Sequence, residues 1–216
     1  MITLAPFFYD RLIFPPLRLI GQALLRLYFG LRVERAEAVP DSGAIILVAN
    51  HASLLDGVVI HGAVWRPLRV LVAAEWAEWG PVRPLFRLIA AIPVARENRA
   101  NAHAIEAAAE ALGRGQALAL FPEGALQEDG RLAPFRRGAA RLAYRTGAPI
   151  LPCAIVGAFE AMPWPRVVPR PRRITLRSGR LLRFATCDGG APSQGELDAA
   201  TSEVRDAVRR LLEQDP

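Results

Sequence analysis

Short apolar runs alternate with helical patterns along this chain, and that alternation narrows the folds open to it. The runs are AIILVAN (44–50), RVLVAAE (69–75), AIPVAR (91–96), ALALF (117–121), PILPCAIVG (149–157), RITLRSG (173–179) and LLRFAT (181–186). Helical periodicity falls between them, near 53–64, 80–90, 100–113, 137–146 and 195–213. Strands of a parallel sheet are covered by helices on both faces, so they read as continuous apolar runs rather than alternating ones. The order therefore predicts an α/β fold with a mostly parallel, mixed sheet of about seven strands flanked by helices. The phrase RSGR (177–180) is hairpin-like and predicts an antiparallel edge late in the chain. At 216 residues the chain is long enough for one domain with a sizeable core, and no internal repeat or low-complexity tail interrupts it.

The N-terminal 33 residues have a different pattern. From Pro16 onward, Leu17, Ile20, Leu24, Leu27 and Leu31 recur at spacings of three and four, while Arg18, Gln22 and Arg26 recur every four. This makes a narrow polar stripe on a broad apolar helix. Arginine at the edge of such a helix suits an interfacial anchor, so 1–33 is expected to be an amphipathic membrane-binding segment and 34–216 the folded domain. A helix packed on the domain's own core fits the same periodicity. Arg11, Arg18, Arg26 and Arg32 break the segment before it reaches the roughly 18–20 apolar residues of a spanning helix. Asp10 and Arg11 also make it a poor signal peptide. The expected placement is peripheral, on the cytoplasmic face of the cell membrane.

Charge points the same way. The 27 basic residues are all arginine, against 21 acidic ones, for a net charge of +6. A surface of this sign favours anionic partners, and guanidinium grips phosphate or carboxylate in a fork. Between Glu160 and Asp188 there is no acid, yet Arg166, Arg170, Arg172, Arg173, Arg177, Arg180 and Arg183 all fall there. Such a block is usually a solvated face. An anionic membrane surface, the phosphates of a nucleotide-bearing donor or an acidic carrier protein would also suit it. Its prolines and the lack of an aromatic ladder argue against nucleic acid. Cys153 and Cys187 supply neither a disulfide framework nor a metal-ligand set, and read as free thiols in a reducing compartment.

Chemistry is most legible in NHASLLD (50–56). On one continuous helix, positions five apart lie about 140° from each other, so His51 and Asp56 can meet only if His51 sits in the turn before the helix. The apolar run ending at Asn50 predicts that turn, with Ser53 as N-cap, Leu54 and Leu55 the first helical residues and Asp56 at N3. Ser-x-x-Asp is itself a capping box, so helix initiation alone also accounts for Asp56. In LFPEG (120–124) the carboxylate of Glu123 again stands where a strand leaves the sheet, the edge at which parallel sheets bind ligands. Arg96 ends a third run. His61 and His103 have no partners of suitable spacing and read as structural or exposed.

Taken together, NHASLLD, AAIPVAR, FPEG and PILPCAI, in this order and at these intervals, resemble the four blocks of the phospholipid and glycerol acyltransferases, which include bacterial 1-acylglycerol-3-phosphate acyltransferases. The likeness runs through residues 30–160 and extends to GRLAPFRRGAARLAYRTGAPILPCAI. It implies acyl transfer from a thioester co-substrate, acyl-CoA or acyl-carrier protein, to a lysophospholipid hydroxyl, with no other cofactor and no metal. The acceptor of first choice is 1-acyl-sn-glycerol-3-phosphate. The resemblance makes His51 the general base and Asp56 the group that fixes its tautomer. It assigns Arg96, Glu123 and Gly124 to acceptor binding. No Gly-x-Ser-x-Gly elbow is present, which favours direct transfer in a ternary complex over an acyl-enzyme.

The chain departs from the family in one block. Where many members read FPEGTRS, this one reads FPEGALQ, so Ala125, Leu126 and Gln127 replace the hydroxyl and the arginine that commonly follow. Alanine also stands before Arg96 in place of the frequent aspartate, and Ala90 or Ala91 where glycine is common. Arg131, Arg136 or Arg137 could restore a phosphate contact, or the acceptor could be another lysolipid or an aminolipid. A non-catalytic membrane-binding module is the reading from a different class, and a thioesterase a third.

Overall fold

A computed structural model describes residues 14–35, 38–77, 80, 83, 91–94, 98–166, 168–185 and 191–214. Helix α1 (Phe14–Phe29) leads into strand β1 (Arg32–Glu34), then β2 (Ile45–Val48), α2 (Asp56–Ala63), β3 (Leu68–Ala73), α3 (Ala74–Ala77) and β4 (Ile92–Val94). The chain continues through α4 (Asn98–Gly113), β5 (Ala117–Leu120), α5 (Gly138–Thr146), β6 (Ile150–Val156), α6 (Ala158–Ala161), β7 (Thr175–Ser178) and α7 (Gln194–Leu212). The seven strands form one sheet in the order β1-β7-β6-β2-β5-β3-β4. From β6 to β4 all neighbours are parallel.

Alternation along β2 explains the layers. Ile45 and Leu47 join a core with Leu25 and Phe29 of α1 and Val59 and Ile60 of α2. Ile46 and Val48 face Leu112 of α4, Leu142 of α5 and Val204 and Val208 of α7. Every residue of β2 is buried, as a strand between two helical layers requires. α7 begins at a capping box, in which Ser193 Oγ accepts from the Glu196 N–H and Glu196 takes the Ser193 N–H.

The late part of the sheet corrects the sequence expectation. β7 is antiparallel, but its partner is β6, pairing Cys153 with Ser178 and Val156 with Thr175, not the run at 181–186. RSGR is no hairpin turn: the chain runs on beside β6, where the Gly179 N–H donates to Pro152 O at 2.8 Å and Leu182 makes a single bridge to Ile150. Nor is β7 the edge, because β1 pairs with it in parallel and supplies the seventh strand. Three residues, RVE, carry too little apolar signal to mark that strand. β3 gives way to α3 at Ala74, so the run at 69–75 overreached. The helix expected at 80–90 lies almost wholly outside the described residues, as do Arg96 and Cys187.

α1 packs on α2 where Gly62 meets Leu25, and a Cβ on Gly62 would stand 2.5 Å from Leu25 Cδ1. The first part of its polar stripe turns inward: Arg18 and Gln22 are buried while Arg26 is exposed, Arg18 Nε donates to Val64 O at 2.8 Å, and its guanidinium lies 3.5 Å over the Trp65 ring. Ile20, Leu24 and Leu27 of the apolar stripe turn out, Leu27 85% and Leu24 62% exposed, while Leu31 is buried in the core. Among the described residues, no helix is long and apolar enough to cross a membrane.

Candidate active site

β2 and β5 are parallel neighbours in register, Val48 beside Leu120, so the residues following each leave the sheet at one edge. Asn50, three residues before Ser53 in the turn, is buried there and grips β6 with both ends of its amide. Its Nδ2 donates to Ile155 O at 3.0 Å, and its Oδ1 accepts from the Ile155 N–H at 2.8 Å. Asn50 therefore acts as a strand residue through its side chain and fixes where His51 begins. A polar residue closing an apolar run was the signal for this role.

His51 Nδ1 lies 3.0 Å from Asp56 Oδ2, and Asp56 is fully buried. Oδ2 also accepts the N–H groups of Ala52 and Ser53, each at 2.8 Å. The carboxylate thus folds the turn back on itself, and all three contacts converge on one oxygen. Oδ1 is buried with no partner among the described residues. With Nδ1–H directed at Asp56, Nε2 is the free edge of the ring, and the side chain is 23% exposed. Phe121 stacks on the imidazole, centroids 4.3 Å apart at 18°, which holds the ring's plane.

Only half of the expected capping box forms. Asp56 takes the Ser53 N–H as the motif requires, but Ser53 Oγ donates to Met162 O at 2.9 Å and accepts from the Leu55 N–H at 3.2 Å. Helix α2 then begins at Asp56, with Leu55 as its N-cap. The hydroxyl's tie to Met162, 109 residues away, is what diverts it, and local sequence cannot reveal such a partner. Both of its hydrogen-bonding roles are filled, so it is poorly placed to be a nucleophile.

Glu123 completes the frame. It is 7% exposed; Oε1 accepts the His51 N–H at 2.7 Å and Oε2 the Ala133 N–H at 3.0 Å. Burial pushes its pKa up from the ordinary glutamate range, while the two backbone N–H groups and His51 pull it back. The Gln127 N–H donates to His51 O at 2.9 Å, so both peptide groups of the histidine are held by the loop that follows β5. Motif reading could not find the Gln127 contact, which uses only backbone.

A model of the acyltransferase family matches residues 30–156, more than half of the 216. The chain belongs to the acyltransferase family. It is 31% identical over 186 residues to a 1-acyl-sn-glycerol-3-phosphate acyltransferase of Limnanthes alba, covering 82% of this chain and 64% of that one. The chloroplastic enzyme of that name from Brassica napus, BAT2, is 27% identical over 140 residues, 61% of this chain and 38% of that one. This family member therefore spans less than two thirds of the length of either relative. Among solved structures, the Thermotoga maritima 1-acyl-sn-glycerophosphate acyltransferase PlsC superposes with a TM-score of 0.75 at 26% identity, covering 94% of this chain and 81% of that one.

This acyltransferase-family site has several candidate cations. β4, the strand that leads to Arg96, runs parallel to β3 and ends at the same edge as β5, while Arg96 itself lies outside the described residues. Arg137 is taken by α7, its Nη2 donating to Asp198 Oδ2 at 2.8 Å. Arg131 is 89% exposed near Asp129. Arg136 differs from both: its guanidinium lies over Gly124, where a Cβ would meet its Nε at 2.5 Å, and its own N–H donates to Pro122 O. Gly124 has φ +74, a conformation that favours glycine. Cys153 is buried in β6 and burial pushes its thiol up to about 12, far from a nucleophile's range. His61 donates from Nδ1 to Gly57 O within its own helix, and His103 is exposed.

Proposed function

We propose that this protein is a membrane-apposed O-acyltransferase. It moves a fatty acyl chain from acyl-CoA or acyl-carrier protein to a lysophospholipid hydroxyl, with 1-acyl-sn-glycerol-3-phosphate as acceptor and phosphatidic acid as product. The observation that carries this reading is the 3.0 Å pairing of His51 Nδ1 with a fully buried Asp56, which leaves Nε2 free at the sheet edge. Nε2 takes the acceptor's hydroxyl proton as that oxygen attacks the thioester carbonyl. The tetrahedral intermediate then expels the thiolate, and the imidazolium returns the proton to it. Asp56 stabilises the imidazolium in between. Positioned base catalysis of this kind contributes about 10²- to 10⁴-fold.

For the acceptor, Arg136 takes the place of the arginine missing after FPEG. Its guanidinium rests on Gly124, between Glu123 and Gln127, the two residues that bracket His51. A phosphate held there sits beside the reacting hydroxyl, and a guanidinium fork suits it. Glu123 holds the His51 and Ala133 backbones together through its two oxygens, with a further lone pair on each left for a glycerol hydroxyl. Arg96 is the second phosphate ligand in this reading.

The outward apolar residues of α1 support apposition to a bilayer, and in this reading the protein lies on the cytoplasmic surface rather than crossing it. The test supplies acyl-CoA or acyl-carrier protein with a panel of lysolipids and follows acceptor-dependent thiol release, with products identified by mass spectrometry. Transfer should appear with 1-acyl-sn-glycerol-3-phosphate and vanish in His51→Ala. Transfer retained in that variant overturns the mechanism, and thiol release without acceptor indicates a thioesterase instead.

A further inference from the structure

The geometry points to a second membrane contact: the arginine- and proline-rich strap between α6 and β7 binds anionic lipid headgroups beside the apolar face of α1 and is tied to the catalytic turn through Ser53. This rests on the reading of the protein as membrane-apposed and names the lipid charge that the surface selects.

Hydrogen bonds fix the strap along its length. At its start, Met162 O accepts from Ser53 Oγ at 2.9 Å, in the turn that orients His51. In its middle, Pro169 O accepts from Tyr28 Oη at 3.0 Å, which brings it against α1. At its end, the Ile174 N–H donates to Phe29 O at 3.1 Å. The strap also crosses Gly157, where a Cβ would lie 2.0 Å from Arg173 O, so only glycine fits beneath it.

The side chains on this strap are of two kinds. Val168 is 68% exposed, and Arg170, Arg172 and Arg173 are exposed close by. Arg145 and Arg137 elsewhere pair with Glu106 and Asp198, whereas these three have no ion-pair partner among the described residues. No acid lies between Glu160 and Asp188 to offer one. Arg177 stands apart, buried and bound to Glu34 and to carbonyls at the end of α7. A merely solvated face has no need of exposed valine among its arginines. An exposed valine close in the chain to exposed guanidinium groups matches a bilayer surface, where the former enters the acyl boundary and the latter meet phosphate.

Docking the strap and α1 together would present the His51 edge to the plane from which a lysolipid rises. The bond from Ser53 to Met162 makes that presentation rigid.

The test is sedimentation of the intact protein with vesicles of neutral phosphatidylcholine, or of phosphatidylcholine mixed with phosphatidylglycerol. Binding should be stronger to the mixed vesicles and weaken with salt. The triple variant R170S/R172S/R173S should lose about 100-fold in partitioning onto mixed vesicles, at about fivefold per arginine. Lysine at the same three positions should restore most of it, which a purely structural role would not allow. Unaltered melting of the serine variant confirms that the fold survives.

Equal binding to both vesicle types, or mixed-vesicle binding that the serine variant retains, overturns the proposal. A serine variant that binds vesicles normally but needs more acyl-CoA assigns the strap to the donor's phosphates instead. Acyl transfer in neutral detergent micelles separates this from the proposed function. If the wild type transfers no acyl group yet binds mixed vesicles through these arginines, the activity reading fails and the strap stands.

Discussion

His51 and Glu123 leave neighbouring parallel strands at one edge, and the carboxylate of Glu123 accepts the histidine's backbone N–H at 2.7 Å. The residue that the family motif presents as a substrate ligand thus holds the backbone of His51, the proposed base.

The pairing of Asp56 with His51 predicts an unusual result for Asp56→Asn. All three contacts use Oδ2, so the amide would keep its oxygen there for the Ala52 and Ser53 N–H groups and leave the histidine tautomer unchanged. Only the charge that stabilises the imidazolium is lost. The expected fall in kcat is roughly 10²- to 10³-fold, less than the ~10⁴-fold that follows when a tautomer is reversed. His51→Ala should cost at least as much. Steady-state kinetics of both variants checks the order.

Glu123→Gln leaves one oxygen for two backbone donors, so either His51 or Ala133 loses its acceptor. Activity should fall about 10-fold or more as the histidine loosens. The pH dependence of stability has a definite sign. The carboxyl's pKa is raised in the fold, so its contribution is present below the unfolded value of 4.5 and is lost as pH rises through the folded one. Melting curves should therefore show Glu123→Gln gaining on the wild type as pH rises from acid to neutral.

Arg136→Gln should lower kcat/KM for 1-acyl-sn-glycerol-3-phosphate by about 10- to 100-fold, the range expected for a lost charged hydrogen bond. The loss should be much smaller for monoacylglycerol, which lacks the phosphate. Arg131→Gln, at a side chain 89% exposed, should change neither by more than about twofold. Competition kinetics with the two acceptors measures the ratio directly.

Cys153 should resist alkylation in the native protein. A thiol at about 12 is ionised in only about one molecule in 10⁴ at pH 8, and burial closes access to it. Mass spectrometry after iodoacetamide treatment should find Cys153 unmodified until denaturant is added, with acyl transfer unaffected.

Much of this was legible in the sequence because it depends on local pattern. The apolar runs gave β2, β5 and β6, since a strand buried on both faces needs apolar residues throughout. HASLLD implied that His51 must sit before the helix to meet Asp56, and it does. The periodicity of the first helix revealed two faces but not which one turns inward. Arg18 is buried because Val64 O and the Trp65 ring, which no local period relates to it, supply its partners.

What sequence pattern alone determined was the α/β class, the strand ends that carry chemistry and the residue types found there. These follow from spacing and from the preference of apolar side chains for the interior. Tertiary structure alone decided that β7 pairs with β6, that Ser53 binds Met162, that Glu123 holds His51 and that Arg136 covers Gly124. Each of these joins residues that no local period relates: the partner is chosen by how the sheet is ordered, and that order is settled only when the helical layers close over it.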